Sequence, residues 1–239
     1  MGRKSLVDVL VDDLLDRILR GDIAPHEALP PESQIAREAG VSRLTVREAL
    51  KSLQTQNIIT IKRGLGTFVN PTEIWTGIDA ILRSAAQSSS PDQTAIRLLE
   101  VRRMVEAGAS EVAATHHTAQ DLERMDASIA DMTQAHGTQD LDALVTADLA
   151  FHDAVLRASA NPFIPVLMSQ LGRLLYLVRR QTSAHPDVQR HALEHHQRVR
   201  DAIATGVPET ARKAMEAHID QTLEDYARHS GAASPREEN

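Results

Sequence analysis

The sequence predicts a mainly α-helical protein, in which a small N-terminal domain with one β-hairpin precedes an all-α antiparallel helix bundle. Of the 239 residues, 42% are hydrophobic but only 3% are aromatic, so a large core must consist of aliphatic side chains. Alanine, leucine, arginine and glutamate, which favour helices, are abundant. From residue 93 to residue 229, apolar side chains recur with the helical period in every segment.

The N-terminal domain is predicted to span residues 1–72. Residues 6–20 place apolar side chains at a helical period, and the following segment, GDIAPHEALPPE, interrupts it with Gly and Pro. The short helix ESQIAREAG ends at Gly40, and Ser42 can cap the next helix, RLTVREALKSLQTQ. The β-branched segment NIITI, the turn KRGLG and the strand TFV then predict a hairpin.

The rest of the chain divides into three parts by composition. Residues 73–92 are predicted to be a linker with a short helix at 78–86, because Pro and Ser residues flank that helix. The second domain is predicted over 93–229, and residues 230–239 are expected to form a disordered tail. The six helices predicted for the second domain span residues 93–116, 119–135, 139–159, 162–182, 187–205 and 208–229.

Composition excludes several classes of protein. The chain has no cysteine, which excludes disulfides, thiolate metal sites and a cysteine nucleophile. Acidic residues interrupt the N-terminal segment where a signal peptide needs apolar residues, and no run approaches the ~18 apolar residues of a membrane span. We therefore expect a soluble cytoplasmic protein with no membrane partner.

Charge is distributed unevenly along the chain. The net charge of −7 argues against a nucleic-acid partner, but residues 1–72 contain ten Lys and Arg against nine Asp and Glu. Within residues 37–63 there are six basic and two acidic residues. Such a local excess of positive charge is typical of a phosphate-binding face, although a solvated surface can have the same composition.

The two helices before the hairpin have the spacing of a helix-turn-helix, in which the second helix enters the DNA major groove by its N-terminal end. Arg43 and Thr45 lie in the first turn of that helix and Arg47 lies one turn later, so they can reach base edges or phosphates. Ser42 at the helix start can donate to a phosphate. The basic turn KRGLG would form the wing of a winged helix-turn-helix.

The segment LPPESQIAREAGVSRLTVREALKSLQTQNIITIKRGLGTFV resembles the winged helix-turn-helix of GntR-family transcription regulators along its whole length. The resemblance implies DNA contacts from Ser42, Arg43, Thr45, Arg47, Arg63 and Gly64. The chain departs from the family at two positions. Ser33, which is shorter and uncharged, stands where the family often has an Arg that helps to hold DNA, and His26 stands where Gly is usual.

Three predicted helices of the second domain direct ionisable side chains toward its core. Asp148 and His152 lie one turn apart in a single apolar stripe, and His196 and His218 lie in the stripes of two later helices. Each histidine alone is more simply a core residue held by a hydrogen bond. Together these polar groups need a common partner, because burying them unpaired is costly. One carboxylate and three imidazoles suit a divalent transition metal such as Zn, Ni, Mn or Fe.

This half of the chain resembles the FCD ligand-binding domain of the FadR subfamily of GntR regulators in LLEVRRMVEAGASEVAA, DLAFHDAVLRASANP and EHHQRVRDAIATGVPETARKAMEAH. The resemblance implies a divalent metal held by Asp148, His152, His196 and His218. It also implies a small carboxylate effector, a hydroxy acid or a sugar acid, with Arg102 as an effector contact. The alternative for Arg102 is a surface salt bridge with Glu106. Three more arginines are candidates for an effector contact, and the spacing does not rank them: Arg173, Arg179 and Arg180.

These features predict a DNA-binding transcription regulator and not an enzyme. We expect a repressor that binds a pseudo-palindromic double-stranded DNA operator as a homodimer. Its operator affinity would change when the carboxylate binds at the metal. One alternative is the same DNA-binding fold with a purely structural metal. Another is a metal-dependent hydrolase, but no motif supplies a general base or a nucleophile, so no catalytic residue is predicted.

Overall fold

The computed structural model describes residues 4–230, which divide after Ser90 into two compact units. The N-terminal unit contains helices and one two-stranded sheet, and the C-terminal unit is helical throughout its described residues. The predicted mainly α-helical fold class is therefore confirmed. No helix within 4–230 is long and apolar enough to cross a membrane. Of the predicted tail, Ser230 is the last residue of a helix, and residues 231–239 lie outside the described part.

The N-terminal unit contains α1 (Leu6–Leu19), α2 (Glu32–Ala39), α3 (Arg43–Thr55), β1 (Ile59–Lys62), β2 (Gly66–Val69), a 3₁₀ turn (Thr72–Ile74) and α4 (Ile78–Gln87). Ser5 caps α1 through a capping box with Asp8, and Ser42 caps α3 by accepting from the Thr45 amide. Gly40, with a φ of +64°, ends α2 in the left-handed region, as its position before α3 predicts. The order helix, helix, helix, hairpin agrees with the sequence pattern.

The segment predicted to be a linker contributes to the N-terminal core. Trp75 is 6% exposed and Ala80 is fully buried, and both belong to the same hydrophobic cluster as residues of α1 and α3. Arg83 of α4 forms ion pairs with two aspartates of α1. The first unit therefore extends to Ser90 instead of ending near residue 72. The Pro and Ser signals of the sequence are local, whereas the contacts of Trp75 and Arg83 are tertiary.

The C-terminal unit contains α5 (Pro91–His116), α6 (Ala119–Thr138), α7 (Leu141–Ala158), α8 (Phe163–Ser169), α9 (Gly172–Thr182), α10 (Pro186–Ala204) and α11 (Pro208–Ser230). The predicted helix 162–182 is in fact two helices, α8 and α9. The amides of Gln170 and Leu171 bond to carbonyls three residues earlier instead of four, which tightens the chain at this point. The other five helices lie close to their predicted bounds.

The core of the C-terminal unit surrounds α7, which packs against α5, α6, α8 and α9. Apolar side chains of α5, α6, α7, α10 and α11 form one cluster, which is aliphatic apart from Phe151. The centroid of the Phe151 ring lies 4.4 Å from that of His196 and 5.5 Å from that of His152. The low aromatic content thus gives an aliphatic core, and this core encloses polar side chains.

We expect Trp75→Ala to lower the free energy of unfolding of the N-terminal unit by about 3–5 kcal/mol, because it leaves a cavity in a packed core. The matched control is Ile74→Ala, since Ile74 is 51% exposed and its truncation should change this free energy by less than about 0.5 kcal/mol. Urea denaturation followed by circular dichroism measures both. Equal effects of the two substitutions would show that this segment is not part of the core.

Candidate nucleic-acid interface and candidate metal centre

The N-terminal end of α3 presents polar side chains at the surface of its unit. Ser42, Arg43 and Arg47 are exposed, and Thr45 is half-buried. The opposite side of the helix is buried through Val46, Ala49, Leu50 and Leu53. The Ser42 hydroxyl accepts from the Thr45 amide at 3.1 Å, so it is engaged in the helix cap. Arg47 Nε donates to Glu32 Oε2 at 2.9 Å, which ties this cation to α2. The four side chains predicted to contact DNA from α3 therefore lie together at its start.

The predicted wing is the antiparallel hairpin of β1 and β2. Its tip residues Arg63, Gly64 and Leu65 are exposed, and Gly64 has a φ of +78°, a conformation that favours glycine. Lys62 Nζ lies 5.0 Å from the centroid of the Phe68 ring, so a cation–π contact holds this side chain against the next strand. Arg63 and Gly64 are thus accessible to a partner at the tip of the hairpin.

One exposed apolar side chain at the start of α3 is absent from the predicted contacts. Leu44 is 69% exposed and lies between Arg43 and Thr45. An apolar side chain at the groove end of such a helix can contact a thymine methyl group. The sequence contains a signal for it, because Leu44 falls outside the apolar stripe of Val46 and Leu50 in the same helix.

Four buried side chains from three helices meet in the C-terminal core. Helix α7 supplies Asp148 and His152, α10 supplies His196 and α11 supplies His218, and none is more than 4% exposed. His152 Nε2 and His196 Nε2 are 3.1 Å apart, and Asp148 Oδ1 lies 3.4 Å from His196 Nε2. One nitrogen from each imidazole lies within 4.8 Å of the other two. The structure brings together all four residues predicted as metal ligands.

The two adjacent histidines of α10 differ in burial. His196 is completely buried in the cluster, whereas His195 is partly exposed, with its ring centroid 6.0 Å from that of His218. His191, on the same helix, lies 3.1 Å from Asp225 Oδ2 through its Nδ1. If the resemblance to the FCD domain were aligned one residue earlier, it would therefore assign the partly exposed His195 as the ligand instead of the buried His196.

An arginine lies in the middle of the cluster. Arg179 of α9 is buried, and its Nη2 donates to His152 Nε2 at 2.8 Å and lies 3.5 Å from His218 Nε2. Its Nε lies 2.8 Å from Asp148 Oδ2, an ion pair that is not aligned as a hydrogen bond. The other two arginines that the spacing did not rank are exposed. Of these three arginines, Arg179 is therefore the one that is buried in the core.

A second ion pair contacts His152 from the side of α5. Arg102 and Glu106 are buried and form a bidentate pair with N···O distances of 2.7 and 3.0 Å. The salt bridge considered from sequence therefore exists, but in the core instead of at the surface. Glu106 Oε2 also lies 2.8 Å from His152 Nδ1, a contact that sequence reasoning missed. The two atoms are not aligned as a hydrogen bond, but the negative charge of Glu106 beside Nδ1 favours the proton there, which leaves the Nε2 lone pair for the cluster.

Burial and neighbouring charges set the protonation states of the cluster. Burial lowers the pKa of the His152, His196 and His218 imidazoles, so they are neutral at neutral pH. Burial alone would raise the pKa of Asp148, but the positive charge of the Arg179 guanidinium outweighs it and holds that pKa below its usual value. Burial also lowers the pKa of Arg179 to about 10, which leaves it charged. Neutral imidazoles and an ionised carboxylate are the forms that bind a divalent metal.

A cavity of about 150 Å³ adjoins the cluster. Its polar lining includes Arg102, Glu106 and His152, and most of its other lining residues are apolar side chains of α7, α8 and α9. Arg102 Nη1 is buried and has no hydrogen-bond partner in the described part of the chain. An unpaired guanidinium nitrogen beside such a cavity favours an anionic ligand. A wider surface groove of about 450 Å³ at Arg124 and Arg157 contains no residue of the cluster.

Two family models match the chain. The model of bacterial regulatory proteins, gntR family, matches residues 6–69, and the model of the FCD domain matches residues 97–221, more than half of the chain. The protein belongs to the GntR family. It is a DNA-binding transcriptional regulator with an N-terminal GntR domain and a C-terminal FCD domain, an arrangement consistent with the FadR subfamily.

Relatives that are themselves regulators cover most of the chain. The HTH-type transcriptional regulator LutR of Bacillus subtilis (strain 168) is 33% identical over 208 residues, which are 84% of this chain and 92% of the relative. The galactonate operon transcriptional repressor of Escherichia coli (strain K12) is 29% identical over 198 residues, or 82% and 86%. The solved structure of Streptococcus agalactiae GntR is 26% identical, with a TM-score of 0.52 over 90% of this chain and 97% of that one. The prediction of a regulator and not an enzyme is therefore confirmed.

We expect Glu106→Ala to lower the free energy of unfolding by about 3–5 kcal/mol, since it leaves Arg102 buried without its bidentate partner. The double substitution Arg102→Met with Glu106→Leu should cost less, because both charges are removed together. Glu209→Ala is the matched control, since Glu209 forms an ion pair with Lys213 at the same spacing on the surface and its loss should change little. Urea denaturation in the presence of a chelator measures all three variants. A loss for Glu106→Ala as small as that of the control would contradict a buried ion pair.

Proposed function

We propose that this regulator responds to a small carboxylate, a hydroxy acid or a sugar acid, which binds at a divalent metal in the FCD domain and changes operator affinity. The observation that supports the proposal most directly is the meeting of Asp148 with three neutral imidazoles, next to a cavity lined by Arg102. Repression is the expected direction, because the galactonate operon relative is named a repressor.

The DNA-binding part of the proposal rests on the exposed end of α3 and on the tip of the wing. The proposed DNA contacts are Ser42, Arg43, Leu44, Thr45, Arg47, Arg63 and Gly64. Arg43 offers a planar fork that suits guanine O6 and N7 or a phosphate. A homodimer would present two such helix ends to the two halves of a pseudo-palindromic operator.

The metal-binding part of the proposal rests on the chemistry of the donor set. Asp148, His152, His196 and His218 offer one carboxylate oxygen and three neutral nitrogens, a set that suits Zn²⁺, Ni²⁺, Mn²⁺ or Fe²⁺. The Glu106 carboxylate lies 2.8 Å from His152 Nδ1, where a metal-ligating imidazole commonly has a carboxylate, although the two atoms are not aligned as a hydrogen bond. A divalent ion bound here would supply a Lewis acid that attracts a carboxylate oxygen.

The effector class follows from the lining of the cavity. The cavity volume of about 150 Å³ favours a small acid over a larger ligand. Arg102 keeps its Nη1 hydrogens for the ligand while Glu106 holds the other side of the guanidinium. The relative named for the galactonate operon supports a sugar acid.

Control of DNA binding requires that the effector bind two conformations of the regulator with different affinities. A tenfold change in operator affinity corresponds to about 1.4 kcal/mol of coupling between the two sites. The alternative is a purely structural metal, which the deep burial of all four side chains favours. The two functions differ in whether an acid changes operator binding.

We expect Arg43→Ala to weaken operator binding by about 5- to 150-fold, the range that the loss of one bidentate base contact produces. Arg20→Ala is the matched control, because Arg20 is also exposed but lies at the end of α1, paired with Asp22 and outside α3 and the wing. Fluorescence anisotropy with the DNA upstream of the gene, at two salt concentrations, measures both affinities. An equal loss in both variants would mean that general positive charge, and not the end of α3, recognises the operator.

We expect His196→Ala to lose Zn²⁺ and the response of operator affinity to carboxylates, and His195→Ala to keep both, because only His196 is buried in the cluster. Metal content after dialysis is measured by mass spectrometry, and operator affinity by anisotropy with a panel of hydroxy acids and sugar acids. Circular dichroism establishes that each variant is folded. Full metal content in His196→Ala would contradict the proposed ligand set. A wild-type protein that binds metal but responds to no acid would favour the structural metal.

A further inference from the structure

Arg179 is a buried cation to which the proposed metal site gives no role. Its guanidinium contacts three of the four proposed ligands, at 2.8 Å from His152 Nε2, 3.5 Å from His218 Nε2 and 2.8 Å from Asp148 Oδ2. A metal bound by these atoms would lie about 2.0–2.2 Å from each of them. An ion held by His152 Nε2 and His218 Nε2 therefore needs the space that the Arg179 guanidinium occupies, even if Asp148 binds it through Oδ1, the oxygen 3.4 Å from His196 Nε2.

We infer that Arg179 competes with the metal for the cluster. The Arg179 guanidinium must leave the cluster before an ion binds, and it therefore limits the affinity of the site for the metal. This inference rests on the proposed metal site. His152 Nε2 has a single lone pair, which either accepts a hydrogen bond from Arg179 or binds an ion. Asp148 contacts Arg179 through Oδ2 and faces His196 through Oδ1, so the competition concerns the imidazole nitrogens. Metal binding therefore breaks the contacts of Arg179 with the imidazoles, and the strength of these contacts reduces the observed affinity.

The other buried arginine of this core makes different contacts. Arg102 is held by two aligned hydrogen bonds to Glu106, at 2.7 and 3.0 Å. Arg179 has an ion contact with Asp148 that is not aligned as a hydrogen bond, and its remaining contacts are with imidazole nitrogens. Hydrogen bonds between two ionised groups are stronger than those to neutral groups. Arg179 is therefore the cation that can be displaced, while Arg102 stays in place.

The first experiment compares the Zn²⁺ affinity of the full-length Arg179→Met variant with that of the wild type, by competition with a chromophoric chelator. Methionine retains an apolar stem but removes the guanidinium. We expect Arg179→Met to bind Zn²⁺ at least about tenfold more tightly, as the removal of one charge-assisted hydrogen bond implies. Arg180→Met is the matched control and should bind like the wild type, because Arg180 is exposed and paired with Asp142. Equal or weaker binding by Arg179→Met would overturn the inference.

A second measurement uses the wild-type protein, so it does not depend on the folding of Arg179→Met. Nuclear magnetic resonance of ¹⁵N-labelled arginine side chains detects the Nε–H groups, and the conservative Arg179→Lys variant assigns the signal of Arg179. Saturating Zn²⁺ should shift this signal strongly, while the signal of Arg102 keeps the character of a group paired with Glu106. An Arg179 signal that does not move at saturation would show that the guanidinium stays in place.

The inference and the proposed function fail in different ways. Zn²⁺ binding by His196→Ala defines the background from exposed groups. If the wild type and Arg179→Met both bind no Zn²⁺ above this background, the proposal of a metal site is wrong, and the inferred competition is wrong as well. If both bind Zn²⁺ with the same affinity, the metal site stands and only the competition is wrong.

Discussion

The C-terminal core depends on the pairing of charges that are shielded from water. Arg102, Glu106, Asp148 and Arg179 are all buried there, two positive and two negative. An unpaired charge at this depth costs several kcal/mol, so each ionised group keeps an oppositely charged partner in contact. The four charges balance one another, and the imidazoles between them can remain neutral. The histidines are neutral mainly because burial lowers their pKa, and the nearby arginines lower it further while the carboxylates oppose this effect.

The same balance constrains what can enter the core. A divalent ion would bring two positive charges into a set that is already neutral. Departure of the Arg179 guanidinium would offset one of these two added charges, and binding of a monocarboxylate would offset the second. An anionic effector and a displaceable arginine would therefore both keep the net charge of the buried core near zero. Metal and effector would then bind more favourably together than either does alone.

The local sequence pattern predicts the helices and the faces that they bury, but it does not predict contacts between distant parts of the chain. The motif around Ser42 and Arg43 gave the helix-turn-helix, and the helical period gave the inward faces of His196 and His218. Arg179 could not be ranked, because the break between α8 and α9 changes the phase of a pattern read as one helix. The contact of Glu106 with His152 joins two helices that are far apart in sequence.

Tertiary contacts also determine the extent of the N-terminal unit. Trp75, which anchors the segment after the wing in that unit, is the single tryptophan of the chain. All residues of the histidine cluster belong to the other unit. The fluorescence of Trp75 is therefore an intrinsic reporter of the DNA-binding unit alone. A change in Trp75 emission when Zn²⁺ or an acid is added would be the optical signature of a signal passing from the FCD domain to the GntR domain.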